Sequence, residues 1–308
     1  MSTNVIDTSG GVVVGFDGSR NAAVAVQWAA LEAQRQGTTL HIVSCCYYPG
    51  MPFRGAEGGG ALPRSAIRAT EELAAQGRAI ASKMLPEDAV KTHTVTMQAA
   101  DALIDASTSA NLVVVGHRGR GAFASAVLGS VSSAVAQYAG CPVVVVRGAV
   151  PESGGSSSRV PVVVGIDGTK DSEPALLFAA QRAARDHVPV RIVCAWLTLE
   201  QAGWDLANWQ VDSIEEWAQE LSKSARHAVD GALALVRGRW PDLEAEGQVV
   251  ELAPVLALED ASRESQLVVV GSHSNGALGR LMLGSVSRTV LHHAACPVAV
   301  VRPAPLRG

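Results

Sequence analysis

Gly11-Val-Val-Val-Gly-Phe-Asp-Gly-Ser19 decides the fold, because the chain writes it twice: it returns as Pro161-Val-Val-Val-Gly-Ile-Asp-Gly-Thr169. In both places an apolar run of strand length stops at Asp-Gly, the pattern of a strand buried on both faces and ended by a turn. Further along, Asn111-Leu-Val-Val-Val-Gly116 returns as Gln266-Leu-Val-Val-Val-Gly271, Leu128-Gly-Ser-Val-Ser132 as Leu283-Gly-Ser-Val-Ser287, and Cys141-Pro-Val143 as Cys296-Pro-Val298. The later pairs stand five residues farther apart than the first, so the second copy is longer in its middle. Repeats of this length are domains, not turns of a solenoid. The expected division is a first domain over 1–148, a linker over 149–160 and a second domain over 161–308. Gly148-Ala-Val-Pro-Glu-Ser-Gly-Gly-Ser-Ser-Ser158 gives that linker its flexible composition.

Around these anchors strand and helix patterns alternate. In the first copy, strands are expected at Val12 to Phe16, Leu40 to Cys45, Val90 to Met97, Leu112 to Val115 and Val143 to Val146. Helices are expected at Asn21 to Gln36, stopping at Gly37, then at Ala66 to Met84, Ala100 to Ser107 and Ser130 to Tyr138. The second copy has strands at Val162 to Ile166, Val190 to Ala195, Gly247 to Leu252, Leu267 to Val270 and Val298 to Val301. Its main helices are Ser172 to Arg185, Asp212 to Val236 and Ser285 to His293. Such βαβα order argues for an α/β protein of two tandem doubly wound domains, each a five-stranded parallel sheet flanked by helices. Five strands favour the flavodoxin-like strand order, with ligand at the switch point beyond the strand C-termini. Tyr47 to Pro63 and Leu197 to Val211 read as irregular.

Composition narrows the function classes. With 48% hydrophobic and 18% charged residues in 308, a large core can form and wholesale disorder is excluded. The formal net charge of −4 disfavours general nucleic-acid binding. No apolar run reaches the roughly 18 residues of a membrane helix, and Met1 to Gly11 lacks the basic and apolar regions of a signal peptide. Five cysteines without a Cys-x-x-Cys pair fit reduced thiols in a cytoplasmic protein better than disulfides or zinc. The eight histidines include no His-x-x-x-His, and no Gly-x-Ser-x-Gly elbow occurs. His117 and His273 read as equivalent loop residues beside a ligand. Trp196, Trp204, Trp209 and Trp217 read as packing beneath the longer second copy.

The chemistry lies after the fourth strand. Gly116-His117-Arg118-Gly119 is followed by nine residues, beginning Arg120-Gly121, and then by Gly129-Ser130-Val131-Ser132. Glycines let backbone N–H groups approach a ligand, and the helix N-terminus that follows adds unpaired N–H groups and a positive dipole end. Ser130 and Ser132 offer hydroxyls, and Arg118 and Arg120 offer charge, to phosphate. A tight turn with packing glycines is the alternative, but the spacing recurs in strand–loop–helix context. It is neither a Walker loop nor a dinucleotide fingerprint. Asp17 and Asp167, ending the first strands beside Gly15 and Gly165, could accept from a ribose hydroxyl or an adenine amino group, or serve only as turn or cap residues. Gly18 with Ser19, and Gly168 with Thr169, complete those turns.

On these residues the chain resembles the universal stress proteins of the tandem type. The family signature Gly-x-x-Gly-x9-Gly-Ser/Thr is met at Gly116, Gly119, Gly129 and Ser130, and the strand-1 aspartate at Asp17 and Asp167. The resemblance implies a fold related to the adenine-nucleotide α-hydrolases. It implies adenine against backbone near Cys45 and Ala195, ATP as ligand with Mg²⁺ carried by the triphosphate, and a cytoplasmic, commonly dimeric regulator of stress response or dormancy acting on a protein partner. The second copy departs from the signature: Gly271-Ser272-His273-Ser274-Asn275 has serine in place of the second glycine and no arginine before Arg280, although Gly284-Ser285-Val286-Ser287 is kept. Its site is therefore expected to be weaker. No general base or carboxylate cluster for rapid hydrolysis is evident. The Ser-Gly-Gly-x-Asp-Ser run of enzymes that cleave the α–β bond is replaced by Gly-Phe-Asp-Gly-Ser and Gly-Ile-Asp-Gly-Thr. A nucleotide-free interaction scaffold is the other alternative.

Overall fold

The computed structural model describes residues 6–47, 63–119, 128–148, 159–197, 211–272 and 283–303. The chain divides into two compact units, Met1–Val150 and Pro151–Gly308. In the first, strands β1 (Val12–Gly15), β2 (Leu40–Cys45), β3 (Val90–Val95), β4 (Leu112–Gly116) and β5 (Val143–Val146) alternate with helices α1 (Arg20–Gln36), α2 (Arg64–Ala81), α3 (Ala99–Ala106) and α4 (Ser130–Tyr138). In the second, β6 (Val162–Ile166), β7 (Val190–Trp196), β8 (Ala245–Glu251), β9 (Leu267–Gly271) and β10 (Val298–Val301) alternate with α5 (Glu173–Asp186), α6 (Val211–Arg239), α7 (Pro254–Ser262) and α8 (Ser285–His293). The fold is the expected α/β class, and all pairings within each unit are parallel.

The strand order corrects the flavodoxin-like expectation. The first unit runs β3-β2-β1-β4-β5, and the second repeats it as β8-β7-β6-β9-β10. A flavodoxin order would put the third strand between the first and fourth. Polarity explains why it stands at the edge. Val90–Val95 reads Val-Lys-Thr-His-Thr-Val, and Ala245–Glu251 is mostly exposed. Neither could be buried on both faces as Val12, Val13 and Val14 are, at 0% exposure. The switch point still falls between the first and fourth strands, where Val12 pairs with both Leu40 and Leu112.

Local chemistry sets the helix ends. Ser19 caps α1, its Oγ accepting from the Ala22 N–H at 3.1 Å. Gly37, in the left-handed region at φ 62°, closes it. The corresponding end of α5 is His187, which takes φ 55° without glycine's freedom. Helix α7 was absent from the sequence expectation, since its apolar run follows Pro254 directly and has no side-chain cap.

Candidate functional site

Both arms of the site grow from the C-terminal ends of β1 and β4. After β1 the chain turns through Gly18 at φ 81°, and the Ser19 amide donates to Asp17 Oδ1 at 2.9 Å. The second copy repeats this turn with Gly168 at φ 76°. There the Thr169 amide and hydroxyl both donate to Asp167 Oδ1, at 3.0 and 2.6 Å. Asp17 is half-buried and Asp167 exposed. Ser19 and Thr169 thus have structural duties: Ser19 as helix cap, Thr169 as partner of Asp167.

After β4 the glycine loop comes back over Asp17. A Cβ on Gly119 would fall 2.5 Å from Asp17 Oδ2, so loop and aspartate meet across the switch point, as the topology led one to expect. At the other end of the loop, the Gly129 N–H donates to the His117 carbonyl at 2.8 Å, and α4 begins at Ser130. Unlike α1, helix α4 has no side-chain cap, and exposed Ser130 stands at its first position. Its first amides and the dipole end therefore face the loop, an arrangement that suits an anion. Arg118 Nε is buried and has no hydrogen-bond partner among the described residues. These features fit a phosphate group.

Several sequence assignments change. Gly116 was read as a phosphate-approach glycine, but a Cβ there would lie 2.9 Å from the Asn21 carbonyl carbon and oxygen, so its role is to let β4 pack on the first turn of α1. Gly15 and Gly165 likewise make room for Leu103 and Leu258. Ser132 was assigned to phosphate. Its buried hydroxyl instead donates to the His117 and Gly129 carbonyls, each at 3.2 Å, and so shuts the loop onto α4. The buried Ser287 hydroxyl of the second copy donates one residue earlier, to the Gly271 carbonyl at the end of β9, at 2.6 Å.

The pairing of His117 with His273 is also corrected. The His117 N–H donates to Val146 and its carbonyl accepts from Gly129; Ser272 donates to Val301 and accepts from Gly284. His117 is therefore matched by Ser272. Burial first, then the nearby Arg147 and Arg118 charges, hold the His117 imidazole below its ordinary pKa, against the pull of the Val146 carbonyl, which faces Nδ1 at 3.4 Å. Arg147, following β5, was missed by the sequence reading; only its place after the fifth strand marks it as a neighbour of the loop.

Cys45 ends β2 and Ala195 stands one residue before the end of β7, both half-buried, and burial raises the Cys45 thiol to about 12. Nearby, the Ser44 hydroxyl donates to the Phe16 carbonyl at 3.0 Å and ties β2 to the end of β1. Val131 and Val286 lie half-buried in the first turns of α4 and α8, with Gly284 and exposed Ser285 opening the latter. Arg120, Gly121, His273, Ser274, Asn275 and Arg280 lie outside the described residues, as do most of Tyr47 to Pro63 and Leu197 to Val211. Trp217 is exposed rather than packed, Trp196 is half-buried, and Trp204 and Trp209 lie outside the described residues.

The duplicated loop-and-aspartate architecture has a counterpart among known proteins. The pattern of the universal stress protein family matches residues 10–147 and again 160–302. The chain belongs to the universal stress protein family. A universal stress protein of Mycolicibacterium smegmatis is 34% identical over 96% of this chain and 98% of its own length. The crystal structure of a universal stress protein from Archaeoglobus fulgidus covers 96% of this chain and 97% of its own, with a TM-score of 0.62 at 17% identity, a likeness of fold. A shorter one from the same organism, solved in complex with dAMP, covers 44% of this chain and 96% of its own at 25% identity and a TM-score of 0.34. This tandem universal stress protein carries the family fold in both halves, and no helix among its described residues is long and apolar enough to cross a membrane.

Proposed function

We infer that the first half of this universal stress protein binds an adenine nucleotide, ATP, as a regulatory ligand. The observation that carries the reading is the apposition of Gly119 and Asp17 beside the uncapped start of α4. The α4 amides, Ser130 and Arg118 would hold phosphate oxygens, while Asp17 Oδ2 would accept from ribose or adenine. Adenine would lie against the backbone at the end of β2, near Cys45. Bound ATP supplies negative charge and a base plane, and any Mg²⁺ comes with the triphosphate. The residues of this chain bind and orient; none is assigned to proton transfer, so hydrolysis is slow. Nucleotide acts by shifting a population of states read by a protein partner, in a cytoplasmic protein that pairs as a homodimer.

The second half would bind more weakly. Asp167 is exposed where Asp17 is half-buried, and Ser274 stands at the position of Gly119. Losing a charge-assisted phosphate contact costs on the order of 1.5–3 kcal/mol, about ten- to a hundredfold in Kd, and Arg280 would recover part of it. The test is direct. Protein stripped of nucleotide by unfolding and refolding is titrated with ATP. A ligand at a hundredfold excess over Kd stabilises the native state by about 2.7 kcal/mol. An unchanged melting temperature at millimolar ATP would overturn the reading.

A further inference from the structure

Away from the proposed nucleotide site, a histidine pair joins β2 to the edge strand β3. His41 Nδ1 lies 3.0 Å from His93 Nε2, with the rings 5.2 Å apart between centroids and within 10° of parallel. His41 is only 3% exposed. On its other edge Gly11 closes in: a side chain there would fall 2.6 Å from His41 Cδ2 and 2.7 Å from Nε2. A hydrogen bond between two imidazole nitrogens needs one donor and one acceptor. It cannot survive protonation of both rings, and a charge on His41 would be buried.

The second unit solves the same position differently. By strand register His41 corresponds to Arg191, Lys91 to Glu246 and His93 to Gln248. There Arg191 Nε meets Glu246 Oε2 at 3.4 Å, an ion pair in which no imidazole takes part. We propose that the His41–His93 contact is an acid-sensitive clasp on β3: protonation detaches the edge of the first sheet, while β8 of the second unit stays paired.

The groups around the clasp set the direction. On β3, Lys91 pairs in register with His41 and disfavours protonation of both rings, while Asp7 in the N-terminal segment favours it on His41. Helix α3 packs on β1 and β2 and brings Asp101 and Asp105, both exposed. Helix α2 covers the opposite face, where Gly77 meets Ile42. Burial is the largest influence on both histidines, lowering His93 and taking His41 to about 4. A base whose pKa is lower folded than unfolded stabilises the fold above its unfolded value of 6.5. That contribution is lost as pH falls toward the folded value.

Hydrogen exchange of the full chain, corrected for the intrinsic pH dependence of exchange, tests this at pH 7 and pH 5. Opening of Val90–Val95 should become on the order of tenfold more frequent at pH 5, with Ala245–Glu251 unchanged. The triple substitution His41→Arg, Lys91→Glu and His93→Gln, which copies the second unit, should abolish the difference. Should that variant not fold, His93→Gln must at least reduce it. Imidazole NMR titration of the unmodified protein gives a separate check: both midpoints should fall below 6.5. Equal protection of Val90–Val95 at the two pH values, or equal loss in both units, would overturn the proposal. So would a His41 midpoint at or above the ordinary value.

Discussion

Replacing Gly116 and Gly119 separately by alanine should separate packing from ligand contact, although both glycines belong to one signature. The Gly116 methyl would sit 2.9 Å from the Asn21 carbonyl carbon and oxygen and 3.2 Å from the Ala22 nitrogen. Those atoms are backbone in the first turn of α1, pinned by the Ser19 cap and by packing on β1 and β4. No side chain can swing away, so the helix must shift by roughly half an ångström or more, and overpacking of this kind costs about 1–3 kcal/mol. For a unit of this size the melting temperature falls about 2–4 °C for each kcal/mol.

The Gly119 methyl meets a different obstacle, the Oδ2 end of Asp17 at 2.5 Å. That carboxylate can rotate, and Gly119 does not need a positive φ. Gly119→Ala should therefore cost less than about 1 kcal/mol of stability. By displacing the acceptor assigned to the nucleotide, it should also weaken ATP binding at least about tenfold. Urea denaturation of nucleotide-free protein, with hydrogen exchange of β1 and β4 reporting on the first unit, gives the stabilities; titration calorimetry gives the affinities. If Gly116→Ala unfolds at the parental urea concentration, or Gly119→Ala proves the more destabilised of the two, the division of roles is wrong.

Three further outcomes are expected. Asp17→Asn should preserve the turn through its remaining oxygen yet weaken the first site, with calorimetry on nucleotide-free protein as the check and an unchanged Kd as the contrary result. Ser132→Ala removes a buried hydroxyl that closes the loop onto α4, and should destabilise the first unit by about 1 kcal/mol in urea. His187→Gly relieves a left-handed residue at the end of α5 and should stabilise the second unit by about 0.5–1 kcal/mol, seen as a higher urea midpoint.

Much of the fold was legible because the central strands are written in valine. Leu40–Cys45, Ser130–Tyr138, Val143–Val146 and Val298–Val301 match their expected bounds, since turn residues or apolar contrast mark both ends. The flavodoxin-like strand order was the wrong expectation, although Lys91-Thr-His-Thr in β3 held the clue: a strand so polar belongs at an edge. The meeting of Asp17 with Gly119 was legible from topology alone, because both follow strands that flank the switch point. The duty of each glycine was not. A sequence shows that Cβ is absent, and only the packing shows whether helix, leucine or aspartate occupies the space, as at Gly116, Gly15 and Gly119. The matching of His117 with Ser272 was already implied by the pairing of Gly116 with Gly271, and the backbone hydrogen bonds bear it out.

Comparing the two halves shows where packing constrains the duplicated fold and where it does not. The positive φ at Gly18 and Gly168, and the leucine set against Gly15 and Gly165, recur because any side chain there would collide with a helix. The buried Ser132 and Ser287 recur because each ties its helix to a carbonyl at the end of the fourth strand or just beyond it. Differences fall where the scaffold tolerates either residue: Gly37 against His187, the His41–His93 contact against Arg191–Glu246, and Gly119 against Ser274. The last two change charge or room without disturbing a central strand. A duplication of this kind can keep two equally well-packed domains while their responses diverge. Unequal nucleotide affinity and unequal sensitivity to acid would then be separate consequences of two sets of substitutions, one at the glycine loop and one on the edge strand with its neighbour, and variants in one set should leave the other response intact.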